Sequence, residues 1–243
     1  MASKVIVVTG ASRGVGAETA VALGARGHDV VVNYREKARR AEKVCELVRE
    51  AGGRAVAIGA DVTAVDGPRL LLDGAIAGFG RVDAVVLNAS GGLELGADEG
   101  YAMRLNRDAQ VTMARAAAGA MTAGGRIVFV TSHQAHFSRT RPVPDGYGPI
   151  AASKLAGELA LRDLAAEEDL RLGVVSGDMI DGTIIVRLLE RRDPAAVEAR
   201  RAHGPLPTVT EFAAAIAAAA DAETPSGHTT YVGGGDLVAE LQR

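Results

Sequence analysis

Three groups of residues in this chain are of types that do chemistry. The first is Thr9-Gly10-Ala11-Ser12-Arg13-Gly14-Val15-Gly16, which follows an apolar run and opens a stretch with helical spacing. Glycines at Gly-x-x-x-Gly-x-Gly spacing let backbone N–H groups and the positive end of a helix approach a pyrophosphate, although a plain strand-to-helix turn uses the same residues. The second group is Ser132 and Lys154, with Tyr147, His133 and His136 between them. A hydroxyl, an ammonium, a phenol and imidazoles are the groups that polarise a substrate oxygen and pass it a proton. The third is Arg13, Asn33 and Arg35, donors and positive charge that suit a phosphate, which a guanidinium grips in a forked geometry.

These residues must be positioned by elements that alternate along the chain. Runs rich in valine and isoleucine fall at 5–8, 30–32, 56–58, 82–87, 127–130, 172–175 and 229–232. They are continuous, not alternating with polar residues, which suits parallel strands covered on both faces. Between them, 17–26, 38–51, 68–79, 101–121, 151–168 and 211–220 carry helical spacing. The alternation predicts right-handed βαβ crossovers and an α/β fold: one doubly wound, parallel, seven-stranded sheet with helices on both faces, as a single domain over 1–243. The segment 177–210 differs, with three prolines and Arg187, Arg191, Arg192, Arg200 and Arg201. It reads equally as a substrate lid over the carboxyl ends of the strands or as a solvated helical excursion.

Composition narrows the partners. With 27 basic and 30 acidic residues and a net charge of -3, no basic stripe stands out, so neither nucleic acid nor a membrane is an expected partner. Cys45 is the only cysteine, which rules out an internal disulfide and a cysteine-rich metal site; it reads as a buried small hydrophobe, and no metal site is expected. Met1 to Lys4 lead straight into the first apolar run with no leader pattern, so the expected location is the cytoplasm.

The glycine loop and four later stations in the same order together resemble the short-chain dehydrogenase/reductase family, over nearly the whole length. At Val32-Asn33-Tyr34-Arg35 an NAD-specific member would place a carboxylate against the ribose 2′-hydroxyl. None is present, and Asn33 and Arg35 with Arg13 point to NADP(H); the bland alternative is that Arg35 opens a solvated face with Lys37, Arg39 and Arg40. Asp61-Val62 resembles the family's pair beside the adenine, and Asp61 followed by Thr63 reads equally as a cap. Asn88-Ala89-Ser90-Gly91 resembles the turn whose small residues let the backbone pass close to the cofactor. Ser176-Gly177-Asp178-Met179 stands where the family reads Pro-Gly and faces the nicotinamide, so Gly177 and Met179 are cofactor positions, with Ser176 leaving a less rigid turn.

The resemblance implies a Rossmann-like, NADP(H)-dependent oxidoreductase that reduces a ketone of a small-molecule or acyl substrate, similar to the 3-oxoacyl carrier protein reductases. Ser132 matches the family's substrate-oxygen donor, Lys154 the lysine that acidifies the catalytic phenol and holds the ribose, and Asn106 the asparagine that anchors the proton relay. The catalytic tyrosine, expected four residues before Lys154, is replaced by Ile150. Tyr147 is one candidate substitute and reads equally as a packing or substrate-binding residue; His133 or His136, or a proton from water or substrate, are the others. Pro149 predicts a helix starting at or near it, which would leave Tyr147 off the Lys154 face. The competing class is a catalytically inactive NADP(H)-binding sensor or regulator on the same fold. Alanine-rich faces at 109–120 and 213–220, on helices that pair subunits in the family, imply a homotetramer or homodimer.

Overall fold

A computed structural model describes residues 2–92, 98, 100–168 and 170–240. The chain runs β1 (Val5–Val8), α1 (Gly14–Ala25), β2 (Asp29–Tyr34), α2 (Ala38–Glu50), β3 (Arg54–Gly59), α3 (Gly67–Phe79) and β4 (Ala84–Leu87). It continues with α4 (Tyr101–Met103), a π-turn (Arg104–Asp108), α5 (Ala109–Ala120), β5 (Arg126–Ser132), α6 (His133–His136), α7 (Gly148–Glu167) and β6 (Arg171–Gly177). Then come α8 (Ile184–Arg192), α9 (Pro194–Arg201), α10 (Val209–Asp221), β7 (His228–Val232) and α11 (Gly235–Glu240).

All seven strands pair in parallel, in the order β3-β2-β1-β4-β5-β6-β7. The continuous apolar runs follow from this arrangement. Side chains alternate across a strand, so Val5 and Val7 enter one core with Leu71, Met113 and Leu161, while Ile6 and Val8 enter the other with Leu23, Val48 and Ile216. The first core lies under α3, α5 and α7 and the second under α1, α2 and α10, so the sheet is doubly wound. Strand order reverses between β1 and β4, and the crossovers leave in opposite directions there, opening a crevice at the carboxyl ends of the strands.

Two departures from the sequence reading bear on the site. The single helix expected over 101–121 is α4 and α5 joined by the π-turn, which carries the buried Asn106. The segment 177–210 holds α8 and α9; Thr183 caps the first by accepting from the Val186 N–H and Asp193 caps the second by accepting from the Ala196 N–H. Residues 93–97 and 99, between Asn88 and Asn106, lie outside the described residues.

Candidate active site

The glycine loop spans the reversal point. Arg13, the residue before α1, has extended backbone and makes no side-chain cap, so the first-turn N–H groups of a twelve-residue helix face the crevice. Gly16 shows why a side chain is excluded: a Cβ there would fall 2.4 Å from Asn88 Nδ2 and 2.7 Å from the Gly10 carbonyl oxygen. Asn88 takes up that space, donating to the carbonyls of Thr9 (2.9 Å) and Gly10 (3.4 Å). Thr9 is fully buried, its Oγ1 donating to the Val86 carbonyl and accepting from the N–H groups of Asn88 and Ala89. Thr9 therefore bolts the loop to the β4 turn from behind, whereas Gly10, Ser12, Arg13, Gly14, Val15 and Gly16 line the cleft.

At the far end of the loop, two of the predicted phosphate ligands part company. Asn33 borders the cleft but is buried; its Oδ1 accepts from the Gly10 N–H (3.1 Å) and its Nδ2 donates to the Ala60 carbonyl (3.0 Å), so the amide also ties three strand ends together. Arg35 faces the cleft, where it donates to the Tyr101 hydroxyl at 3.1 Å and pairs with Glu36. Arg13, Lys37 and Arg40 line the same end of the cleft, so part of the basic run that read as a solvated face belongs to the wall. Tyr101 was not a sequence candidate, and no local signal marks it, since α4 brings it across 66 residues to Arg35. Tyr34, Asp61, Val62, Ala89 and Ser90 also line the cleft, and Asp61 Oδ1 accepts from the Thr63 N–H (2.9 Å) and hydroxyl (2.7 Å).

At the other end of the cleft, Tyr147 reaches Ser132. The phenol oxygen lies 3.3 Å from Ser132 Oγ, which also accepts from the Ala135 N–H at 3.3 Å as the cap of α6. The helix begins one residue after Tyr147, with Pro149 in its first turn, as expected. However, Tyr147 itself has helical backbone (φ -90, ψ -11), and its carbonyl accepts from the N–H groups of Ile150 and Ala151. A residue in helical register seven positions before Lys154 returns to the same face after nearly two turns, about 10 Å further along the axis. Tyr147, Ile150 and Lys154 accordingly all line the cleft, and the expectation that Tyr147 would leave the Lys154 face is corrected. Gly146, at φ +75, supplies the left-handed turn that delivers Tyr147 to this position.

Burial sets the ionisation of these groups. It pushes the Tyr147 phenol above its ordinary value, against the Ser132 hydrogen bond, so the phenol holds its proton. Burial lowers the Lys154 ammonium to about 8, and its Nζ donates to the Val130 carbonyl at 3.4 Å. Asn106 does not reach the cleft wall: its Nδ2 donates to the Gly91 carbonyl and to Ser153 Oγ, both at 2.9 Å, and its Oδ1 accepts from the Gly91 N–H. It fixes the turn after β4 to α7, which can press against the π-turn because Gly157 has no Cβ to meet the Asn106 carbonyl.

Both histidines are engaged elsewhere. His133 is 1% exposed, with Nε2 3.1 Å from the Gly233 carbonyl and Nδ1 2.8 Å from Ser176 Oγ. A carbonyl can only accept, so Nε2 carries the hydrogen and Ser176 donates to Nδ1; burial keeps the ring neutral by lowering its pKa. This pairing also accounts for serine at 176. The residue lies inside β6, between Thr131 and Tyr231, where a proline would have no N–H for the ladder, so the segment is tied and not loosened. His136 bonds Glu158 (3.2 Å) and the Tyr231 hydroxyl (2.9 Å), facing away from the substrate end. Burial would raise the Glu158 carboxyl, but the His136 and Arg162 hydrogen bonds outweigh it and hold the pKa below its ordinary value.

The cleft encloses about 930 Å³ and is roofed at the Ser132 end by α8, with Gly177 and Met179 beside it. Arg200 of α9 pairs with Asp178 Oδ2 at 2.6 Å and with Asp236 of α11, tying the segment 177–210 to the end of β6. The arrangement can hold an extended dinucleotide by its phosphates and set its far end against a neutral phenol, a serine hydroxyl and an ammonium. The uncapped helix start, the glycine at 16 and the basic wall all fit such a group.

A profile of the short chain dehydrogenase family matches residues 4–177. A probable tetrahydroxynaphthalene reductase of Zymoseptoria tritici is 36% identical over 170 residues, covering 68% of this chain and 62% of the relative. Curated relatives are spanned over 51% to 65% of their own length. Among solved structures, an angucycline C-6 ketoreductase with bound NADP is 27% identical with a TM-score of 0.79, covering 97% of this chain and 96% of the other. A 3-oxoacyl-[acyl-carrier protein] reductase of Brucella melitensis, 22% identical with a TM-score of 0.81 over 98% of both chains, shares the fold. With a profile match across the sheet from β1 to β6 and a crevice that gathers the glycine loop, Ser132 and Lys154, the chain belongs to the short-chain dehydrogenase family.

Proposed function

We propose that this protein is an NADP(H)-dependent ketoreductase in which Tyr147 stands in for the tyrosine missing at 150. The observation that carries the reading is the 3.3 Å approach of the Tyr147 phenol to Ser132 Oγ, from a position three residues upstream of the usual one. Bound NADPH supplies the hydride for the carbonyl carbon. Ser132 hydrogen-bonds the carbonyl oxygen and holds it beside the phenol. Tyr147, kept protonated by burial, gives its proton to that oxygen as negative charge builds there. Lys154, which lines the same cleft, would hold the ribose hydroxyls of the bound nucleotide and bring positive charge to that site.

Arg35, Arg13, Lys37 and Arg40 form the receptor for the 2′-phosphate. Arg35→Ala is expected to raise the NADPH dissociation constant roughly 10- to 100-fold and leave that for NADH within about twofold, since a charge-assisted hydrogen bond is worth about 1.5–3 kcal/mol. Calorimetric titration with both nucleotides checks this, and an equal loss for both would refute a 2′-phosphate role.

Lys154 gives a pH signature. Its ammonium is lowered from 10.5 to about 8, so contacts that need the charge are at full strength below that pH and fade above it. NADPH affinity is expected to fall as pH rises from 7 to 9 in wild type and to stay flat in Lys154→Met. A wild-type curve as flat as the variant's removes Lys154 from the binding site.

A second reading, a catalytically inactive NADP(H)-binding sensor, draws on Lys154 donating to the Val130 carbonyl instead of facing a phenol four residues away. Tight NADPH binding with no turnover over a broad carbonyl panel would favour it. We further propose that residues 177–210 act as a substrate lid within a single 1–243 domain, in a homodimer or homotetramer.

A further inference from the structure

The inner face of α8 has a chemistry that the proton relay and the nucleotide do not use. Ile184, Leu188 and Arg192 recur every four residues on this helix, and all three line the cleft, with Ile185 beside them. The roof over the substrate end is thus an apolar stripe that finishes in a guanidinium. Arg192 Nη1 lies 3.5 Å from where a side chain on Gly146 would begin, one residue before the proposed proton donor. Among the described residues, the Arg192 side chain has no hydrogen bond or ion pair. Its acidic neighbour Asp193 is already engaged, accepting from the Ala196 N–H (3.1 Å) and the Asp145 N–H (3.2 Å). The latter bond also anchors the end of α8 to the loop that carries Tyr147.

We infer that Arg192 receives an anionic oxygen group on the substrate, so that the protein takes ketones with an apolar body and one acidic substituent. This rests on the ketoreductase reading for the identity of the reacting group. An apolar body lies along Ile184, Ile185 and Leu188 with its carbonyl at Ser132 and Tyr147, and its anion meets Arg192 at that end of the roof. A solvated arginine that only complements the C-terminal dipole of α8 would place no such demand on the ligand. Two sources supply such an anion, a carboxylate on the body or the phosphate of a coenzyme A thioester.

The test is calorimetry on NADP⁺-loaded protein, where no turnover occurs, with a tetralone carboxylic acid, its methyl ester and acetoacetyl-CoA. Wild type is expected to bind the acid about tenfold more tightly than the ester, and Arg192→Ala to remove that ratio while binding the ester as before. An Arg192-dependent gain confined to acetoacetyl-CoA identifies the phosphate as the source. Equal binding of acid and ester by wild type together with no Arg192-dependent binding of acetoacetyl-CoA, equal weakening of acid and ester in the variant, or no binding of any probe overturns the inference. Turnover with NADPH is read separately: Arg192-dependent binding without NADPH consumption leaves this inference standing and removes the ketoreductase reading.

Discussion

Tyr147→Phe is expected to lower kcat for ketone reduction by about 10²–10⁴, the usual contribution of a positioned general acid, with the NADPH dissociation constant unchanged. The substitution removes one oxygen, leaves the buried ring among Ala135, Ile150 and Ala151, and takes away the only phenol within reach of Ser132 among the described residues. Stopped-flow measurement of NADPH oxidation under single-turnover conditions isolates the chemical step. A change of less than about threefold would mean that the proton comes from water or from the substrate. The companion variant asks whether the site can return to the family arrangement. Ile150 is 2% exposed, and its Cγ1 is 3.3 Å from where a Cβ on Gly92 would stand, so Ile150→Tyr alone overpacks at a cost of about 1–3 kcal/mol. In the Tyr147→Phe background, a phenol at 150 would lie one helical turn before Lys154. The double variant is expected to recover at least tenfold of the lost rate, with the alkaline limb of its pH–rate profile moved to lower pH by the nearer ammonium.

Arg200→Ala carries the largest expected effect on stability. Asp178 is 2% exposed at its side chain and faces Arg200 Nε at 2.6 Å, while the same guanidinium holds Asp236 and has its pKa raised by those carboxylates. Removing the cation leaves a buried carboxylate without its charge partner, a situation that costs about 3–5 kcal/mol. For a chain of this size that corresponds to a fall in Tm of roughly 6–20 °C. The loss should be uneven. Hydrogen exchange is expected to rise first in α9 and α11, which the pair ties to β6, and to leave β1 and α1 protected. Uniform loss of protection would show that the pair supports the whole sheet. Asp178→Asn with Arg200→Met should recover much of the stability, since no buried charge then remains unmatched.

These two variants separate what local sequence can and cannot show. The central strands were legible because they are buried on both faces, so β1, β4 and β5 announce themselves as apolar runs rich in valine. The glycine loop was legible because its spacing answers to one local need, a backbone that approaches a phosphate ahead of a helix. Asn33 was read as a phosphate donor from residue type and position; in the fold it borders the cleft, with its amide also bonded to three strand ends, a role that residue type alone does not show. Thr9 and Asn106 were likewise nominated at the right stations, yet each is spent on holding two turns together. His133 and Ser176, unrelated along the chain, explain each other only once β6 and α6 are neighbours.

By itself, the sequence determined the parallel doubly wound sheet, the place of the glycine loop at its reversal and the absence of a tyrosine four residues before Lys154, because these depend on period, order and residue type. Only the tertiary structure decided what fills that absence. The fourteen residues between Ser132 and Tyr147 contain a capped turn and a left-handed glycine and lead into the proline-started helix, and their combined path returns a phenol to the serine it left. No window of sequence contains that result, since it depends on where the helix comes to rest against β5 and not on the preferences of any one segment.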